Sequence, residues 1–442
     1  MIIGGGVAGL SAAVELSSRG KKILLLEQRQ YLGGRTYSFR DKTTGDVIDN
    51  GQHLLMGCYA ETRRYLRQIG SEHLADLQPS LHIDFLHPRL GLSSLHTSRL
   101  PVPLHALIGL FGLKSLSFSD RLWLARVGAE LLIPESVQRN RLAQLTVDEW
   151  LKRLGQSEIA RKYLWDIIAI GSLNDNPSVV SALLFYRVLK AAFTGRRDNA
   201  SLLMPRVGLS ELLVQPAEAF ILEHSGEIRL GTEVRGLDIN GSAEVAVTTN
   251  DGERVKTHSV ISAVPWFVAQ TLLAKTGINI SRAFRSSPII SIYLWLDRVV
   301  TDLPLAALLD TRLQWMFNRT LLQGKSNDSR FAQSLCFVIS GAEEFVEMSA
   351  DELVRIAMED LRALVPQAGD ARVLHSVVLK EKRATFSPTP RTERLRPAAQ
   401  TAMPNVFLAG DWTDIGFPAT IEGAIFSGRR AAEHAIGVLS NR

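Results

Sequence analysis

The chain has 442 residues and a mass of 48.8 kDa, too long for one small domain and sufficient for two interleaved ones. Hydrophobic residues make up 46% and charged residues 21%, a globular balance that excludes disordered and fibrous classes. Net charge is +5 with a pI near 9.2, and no Lys/Arg run resembles a nucleic-acid tail, so nucleic acid is not an expected partner. The longest stretch free of charged side chains, 259–274, is interrupted by Pro265 and falls short of the about 20 apolar residues a spanning helix needs. Cys58 and Cys336 cannot build a zinc site or a disulfide framework, and no metal site is expected. No secretory signal is visible, and a cytoplasmic location is expected.

In chain order, 1–3 reads as the end of a strand, 4–9 as a tight turn, 10–18 as a helix and 22–26 as a buried parallel strand. Together they form a βαβ unit of about 30 residues. Strands typically run about five residues, so 1–3 is short. Either natural residues upstream are missing from this chain or it tolerates a truncated strand. Residues 59–69 read as a helix stopped by Gly70. From 77 to about 204 the texture is helical, as at 157–173 and 181–193, and 210–224 reads as a helix kinked or broken at Pro216. Strands are expected at 227–230, 244–249 and 255–262, with an Asn250-Asp251-Gly252 turn between the last two. Further strands follow at 289–296, 334–340 and 373–379. A helix after 340 opens with a Ser349…Glu352 capping box. The chain closes with a strand at 405–409, a Gly410-Asp411 turn and a helix at 420–436.

Three motifs carry chemistry. The first is G-x-G-x-x-G at Gly4, Gly6 and Gly9, where glycines permit a tight turn, close approach of a pyrophosphate and close helix–strand packing. Val7 and Ala8 lie in the helix's first turn, whose free N–H groups and positive dipole end face such a phosphate. Glu27, with Gln28 beside it, closes the second strand 18 residues after Gly9, placed to accept hydrogen bonds from a ribose diol. The second motif, Gly33-Gly34-Arg35, brings the chain close to the cofactor and offers a guanidinium to the pyrophosphate. The third is Gly410-Asp411-Trp412, followed by Ala419-Thr420-Ile421-Glu422-Gly423-Ala424. Asp411 is set for flavin ribityl hydroxyls, and the helix starting near Thr420 aims its N-terminus at the flavin N1 edge. Read singly, each motif also fits an ordinary turn or sheet closure. No second G-x-G-x-x-G occurs in mid-chain, so no dedicated nicotinamide domain is expected.

On these residues the chain resembles, over essentially its whole length, the amine oxidase and phytoene desaturase group of FAD flavoproteins. More narrowly it resembles squalene-associated FAD-dependent desaturases, assigned as hydroxysqualene dehydroxylases. The narrower likeness rests on Asn50-Gly51-Gln52-His53-Leu54-Leu55, on Leu203-Met204-Pro205-Arg206 with Leu209-Ser210-Glu211-Leu212, and on Gly410-Asp411-Trp412-Thr413-Asp414. One departure is Arg206-Val207-Gly208, where many relatives carry two glycines. The resemblance implies an α/β fold: a Rossmann-like FAD-binding domain of the GR2 type with an inserted α+β substrate domain. The expected division is FAD-binding parts at 1–75, 205–275 and 400–442, with a helical substrate part at 76–204 and a mixed one at 276–399. It also implies that Val234, in Gly231-Thr232-Glu233-Val234, contacts adenine through its backbone.

The implied reaction is reduction of hydroxysqualene to squalene with loss of water. A carotenoid-type desaturase is the first alternative, a flavin amine oxidase a more distant one, and a lipid-binding accessory protein a rival of another class. Ionisation of an allylic alcohol needs a proton and a dry pocket. Asp414 and His53 are the candidate acids by motif position, with a loop or cap role for Asp414 and a packing or cofactor-bonding role for His53 as the alternatives. Trp412 and Phe417 either line the pocket or pack. Residues 100–113, with Phe118, Leu122, Trp123 and Leu124 and the nearby Lys114, Arg121 and Arg126, suit an interfacial entry for a lipid-soluble substrate, peripheral on the inner face of the cell membrane. A buried helix explains the same pattern. Synthases upstream in the squalene pathway are the expected protein partners.

Overall fold

The structure, a computed structural model, describes residues 1–97, 109–240, 244–324, 328 and 330–440. Five short parallel strands form a sheet in the spatial order Glu227–Arg229, Leu24–Leu26, Ile2–Ile3, Val260–Ser262, Val406–Leu408. The four strands from Leu24–Leu26 to Val406–Leu408 are apolar and largely buried, as a parallel sheet covered on both faces requires, while the edge strand Glu227–Arg229 carries charged, more exposed side chains. One face packs on the helices Val7–Ser18, Gln215–Glu223 and Ile421–Ser440. The other is covered by an antiparallel sheet of Val234–Asn240, Glu244–Thr249 and Arg254–Thr257. From Ile2–Ile3 the chain turns first to Leu24–Leu26 on one side and later to Val260–Ser262 on the other. That reversal is the topological switch point at whose carboxyl edge ligands bind in such sheets.

A mixed sheet of seven strands stands beside this unit: Val373–Phe386, Ser286–Leu296, Gln333–Ser340, Trp315–Asn318, Leu305–Leu308, His82–His87 and Gly91–His96. One face lies on the amphipathic helix Ala350–Leu364, opened by the expected Ser349/Glu352 capping box. The other faces the helices between 118 and 193.

Four expected elements differ in the structure, and the strands Leu202–Pro205, Val234–Asn240, Leu305–Leu308 and Trp315–Asn318 are absent from the sequence reading. Residues 82–96 were expected within helical texture and form a hairpin, joined to the large sheet by parallel pairing of Phe85 with Ala307. Buried polar residues hide its alternation: Asp84 accepts from Ser94 Oγ at 2.5 Å, and His87 is buried. Residues 255–262 divide into two strands of different sheets, at Thr257 and Val260. The helix at 157–173 contains a π-turn, Arg161–Trp165. In 210–224 the disturbance is a π-turn, Ser210–Val214, just before Pro216. The proline lacks an N–H and its ring crowds the carbonyl four residues back, so the turn widens there.

Candidate active site

The glycine motifs meet at the carboxyl edge of the parallel sheet. Gly4 takes φ +103°, and a Cβ on it would lie 2.9 Å from the Ala263 carbonyl. Gly9 has no freedom at all: a Cβ there would sit 1.9 Å from the Gly4 carbonyl. Gly6 is different, since a Cβ on it would meet nothing within 4 Å. It is the N-cap of the Val7–Ser18 helix and supplies no side-chain cap, so the first-turn N–H groups of Val7, Ala8 and Gly9 are left for a ligand. An open cradle with uncapped amides and a positive dipole end fits a pyrophosphate.

Glu27, 8% exposed, accepts from Gly5 N at 2.6 Å and from Arg29 N at 2.9 Å, one bond to each oxygen. Each carboxylate oxygen keeps a lone pair for a diol. Gln28, next to it, is exposed. The 231–234 segment lies alongside, with Thr232 N donating to the Glu27 carbonyl at 2.9 Å and half-buried Val234 opening the next strand. Gly33 N donates to Gly5 O at 2.8 Å, and a Cβ on Gly34 would lie 3.2 Å from Gly6 Cα, so the two glycine motifs are in contact. Arg35 Nη2 pairs with Asp411 Oδ2 at 2.8 Å, and its Nη1 donates to the Ala384 carbonyl at 2.5 Å. Gly410, at φ +141°, is tied to the last helix by Ser427 Oγ at 2.8 Å. Ala419, Thr420 and Ile421 form that helix's start, where Thr420 Oγ1 accepts from Gly423 N at 3.1 Å.

Sequence reasoning missed three contributors. Gly428 allows the last helix to lie on the first, since a Cβ there would be 2.0 Å from the Ala8 carbonyl. Glu381, on the large sheet, accepts from Asn50 Nδ2 at 3.1 Å. Arg396 binds the loop after Gly410. Each partner is remote in sequence, and no local pattern signals it.

The segment carrying His53 bridges the two sheets. Tyr293 Oη donates to the Asp49 carbonyl at 2.9 Å, and Trp295 Nε1 donates to Asp46 Oδ2 at 2.7 Å, pinning it to the large sheet. His53 Nδ1 lies 2.5 Å from the Gly51 carbonyl. A carbonyl only accepts, so Nδ1 carries the hydrogen and Nε2 of the neutral ring is an acceptor. Burial, chiefly, holds the His53 pKa below the ordinary histidine value, with Arg35 acting in the same direction and the Gly51 carbonyl and Asp49 opposing. Buried Asp49 is itself pushed up by burial, against hydrogen bonds from Ser38 Oγ at 2.6 Å and Leu209 N at 2.8 Å. Half-buried Leu54, Ile168, Ile289, Val377 and Leu379 present an apolar wall on the same side of the sheet.

Asp414 does not join this group. It is exposed, with its N–H on the Pro397 carbonyl and its carbonyl accepting from Arg430, and a carboxyl open to water does not meet the need for an acid in a dry pocket. Trp412 packs: it is 1% exposed and donates from Nε1 to the Val264 carbonyl at 3.1 Å. Phe417 is half-buried and edge-on to Phe426.

Residues 7–436 match the family described as flavin containing amine oxidoreductase. The chain belongs to that family. It is an FAD-dependent oxidoreductase, and FAD is the group that the glycine cradle, Glu27 and Asp411 fit. It is 30% identical to the hydroxysqualene dehydroxylase of Rhodopseudomonas palustris and 29% identical to that of Sinorhizobium fredii, covering 98% of this chain and 97% of each relative. It is 25% identical to a 15-cis-phytoene desaturase of an Oncidium hybrid cultivar, covering 98% of this chain and 77% of that one. Among solved structures, cyclohexylamine oxidase from Brevibacterium oxydans superposes with a TM-score of 0.69 at 16% identity (99% and 98% covered), and an oxidoreductase from Methanosarcina mazei with 0.71 at 18% (98% and 99%). These two show the fold, an α/β architecture with a unit of Rossmann type.

Proposed function

We propose that the chain is a hydroxysqualene dehydroxylase. The observation that carries this reading is the end-to-end likeness to dehydroxylases at 29–30% identity, with 97% of each relative matched. In the proposed reaction an allylic C–O bond breaks, the hydroxyl leaves as water with one added proton, and a hydride fills the vacated carbon. Reduced FAD, when bound, supplies that hydride. The Gly4–Gly9 cradle, Glu27 and Asp411 would hold it. The apolar wall excludes water, and His53 is the residue we assign to hold the proton at Nε2. The charged ring, with its second proton at Nε2, is the form that donates to the substrate hydroxyl, and the depressed pKa makes that form a stronger acid.

Among the described residues no helix is long and apolar enough to cross a membrane. We infer that the protein takes its lipid-soluble substrate from a membrane surface through the helix Phe118–Leu132.

The test is anaerobic enzyme, reduced with dithionite, given hydroxysqualene. Squalene is the expected product, and oxidised enzyme should leave phytoene unchanged. New double bonds in phytoene without turnover of hydroxysqualene would move the assignment to the desaturase reading, which the Oncidium relative favours.

A further inference from the structure

Arg396 lies outside every motif, yet its wholly buried side chain is the hub of the loop that follows Gly410. Nε donates to the Thr413 carbonyl at 2.8 Å, Nη2 to the Asp411 carbonyl at 2.9 Å and Nη1 to the Phe417 carbonyl at 2.8 Å. Nη1 also faces both carboxylate oxygens of Glu393, at 3.0 and 3.1 Å. Three carbonyls of one irregular segment, 411–417, thus converge on one guanidinium. Burying such a cation is costly unless its nitrogens find acceptors and its charge is paired; here each of the three nitrogens donates and Glu393 supplies the opposite charge.

The loop joins two flavin-binding features. At one end Asp411 is held twice, by its carbonyl on Arg396 and by its carboxylate on Arg35. At the other end the Phe417 carbonyl is fixed three residues before Thr420, where the last helix begins. We propose that Arg396 is a positioning residue for the flavin, setting the distance between the Asp411 carboxylate and the N-terminus of the Ile421–Ser440 helix. This follows from the geometry of the FAD-binding elements and is independent of which substrate the enzyme takes. Lysine cannot replace it, because an ammonium is a point charge and the three carbonyls need a planar fork.

The decisive variant is Arg396→Lys, prepared as holoprotein. We expect native far-UV circular dichroism, FAD released on serial dilution at a Kd raised at least about tenfold, a shifted flavin midpoint potential, and chymotryptic cleavage after Trp412 that the wild type resists. A variant that only melts earlier, with wild-type Kd and potential, would mark Arg396 as a purely structural residue and overturn the proposal. Should Arg396→Lys fail to fold, Glu393→Gln carries the test, since it removes the charge that holds the guanidinium while keeping an acceptor. A Kd raised about threefold with a shifted potential is then expected, and unchanged values overturn the proposal.

Discussion

Arg35 and Asp411 are 376 positions apart in sequence and form an ion pair with Nη2 and Oδ2 at 2.8 Å. The pair ties the second glycine motif to the third, and Arg35 Nη1 adds the Ala384 carbonyl at the end of the large sheet. Arg35 was expected to neutralise pyrophosphate. In the structure its charge also meets Asp411, and the pair links the two motifs.

Removing either charge should therefore loosen FAD. Arg35→Met and Asp411→Asn are each expected to raise the FAD Kd by about tenfold or more, since a hydrogen bond to a charged group contributes about 1.5–3 kcal/mol. Flavin fluorescence on dilution of the holoprotein reads this directly. Retention at wild-type Kd in both variants would show that the pair is incidental.

Glu27→Ala should harm fold and cofactor together. The sequence suggests a group aimed only at ribose, but Glu27 also satisfies Gly5 N and Arg29 N. Leaving a buried N–H unpaired costs about 1–3 kcal/mol. Urea unfolding of the apoprotein should show that loss; apoprotein as stable as wild type would confine Glu27 to cofactor binding.

The parallel sheet and its glycine edges were legible because each rests on local pattern: an apolar run, a turn, a helix start. The Phe85 hairpin was not, because Asp84 and His87 are buried where alternation calls for apolar residues. Asp414 is a candidate acid by motif position alone. Chain direction there is set by Arg396, and it sends Asp414 outward. No sequence pattern carries that information, since the partner is a backbone carbonyl.

His53 should govern the pH profile of the reduced enzyme. Burial lowers its pKa, so the ring is neutral at pH 7 and gains a proton only as pH falls through the folded value. Single-turnover oxidation of reduced flavin by substrate should quicken from pH 8 toward pH 6. His53→Gln should slow it by about 100-fold and flatten the profile, while Asp414→Asn leaves it unchanged. A flat profile in the wild type would remove His53 as the proton carrier.

Asp166, on the helix that carries Ile168, offers a stability test. Burial and the nearby Asp148 raise its pKa to about 6, against Arg161, from an ordinary value of 3.8. A raised carboxyl pKa favours the fold below pH 3.8, and that benefit is lost as pH rises through 6. Asp166→Asn should stabilise the protein by about 1–2 kcal/mol at pH 8, after discounting for partial exposure, and by almost nothing at pH 4. An equal effect at both values would show that packing, not charge, decides it.

The membrane reading can be tested with better probes than residues 100–113. Much of the stretch that suggested it, 98–108, lies outside the described residues, and Leu110 is half-buried against the core, so its replacement would confuse folding with binding. The helix Phe118–Leu132 is clearer. Leu124, Val127 and Leu131 bury one face, while Phe118 (64% exposed), Leu122 (60%), Ala125, Ala129 and Leu132 (64%) form an apolar stripe on the other. Exposed Lys114, Arg126 and Arg139 stand nearby in the chain, and Arg126 covers the Trp123 ring at 3.7 Å. An apolar face rimmed by cations suits the boundary of an anionic bilayer. Wild-type protein should therefore sediment with vesicles of mixed zwitterionic and anionic lipid, and less so at high salt. Phe118→Ser with Leu122→Ser should abolish sedimentation without lowering the melting temperature, because neither side chain contributes to the core. If the wild type sediments with no vesicle, or the double variant sediments as well as the wild type, the substrate enters by another face.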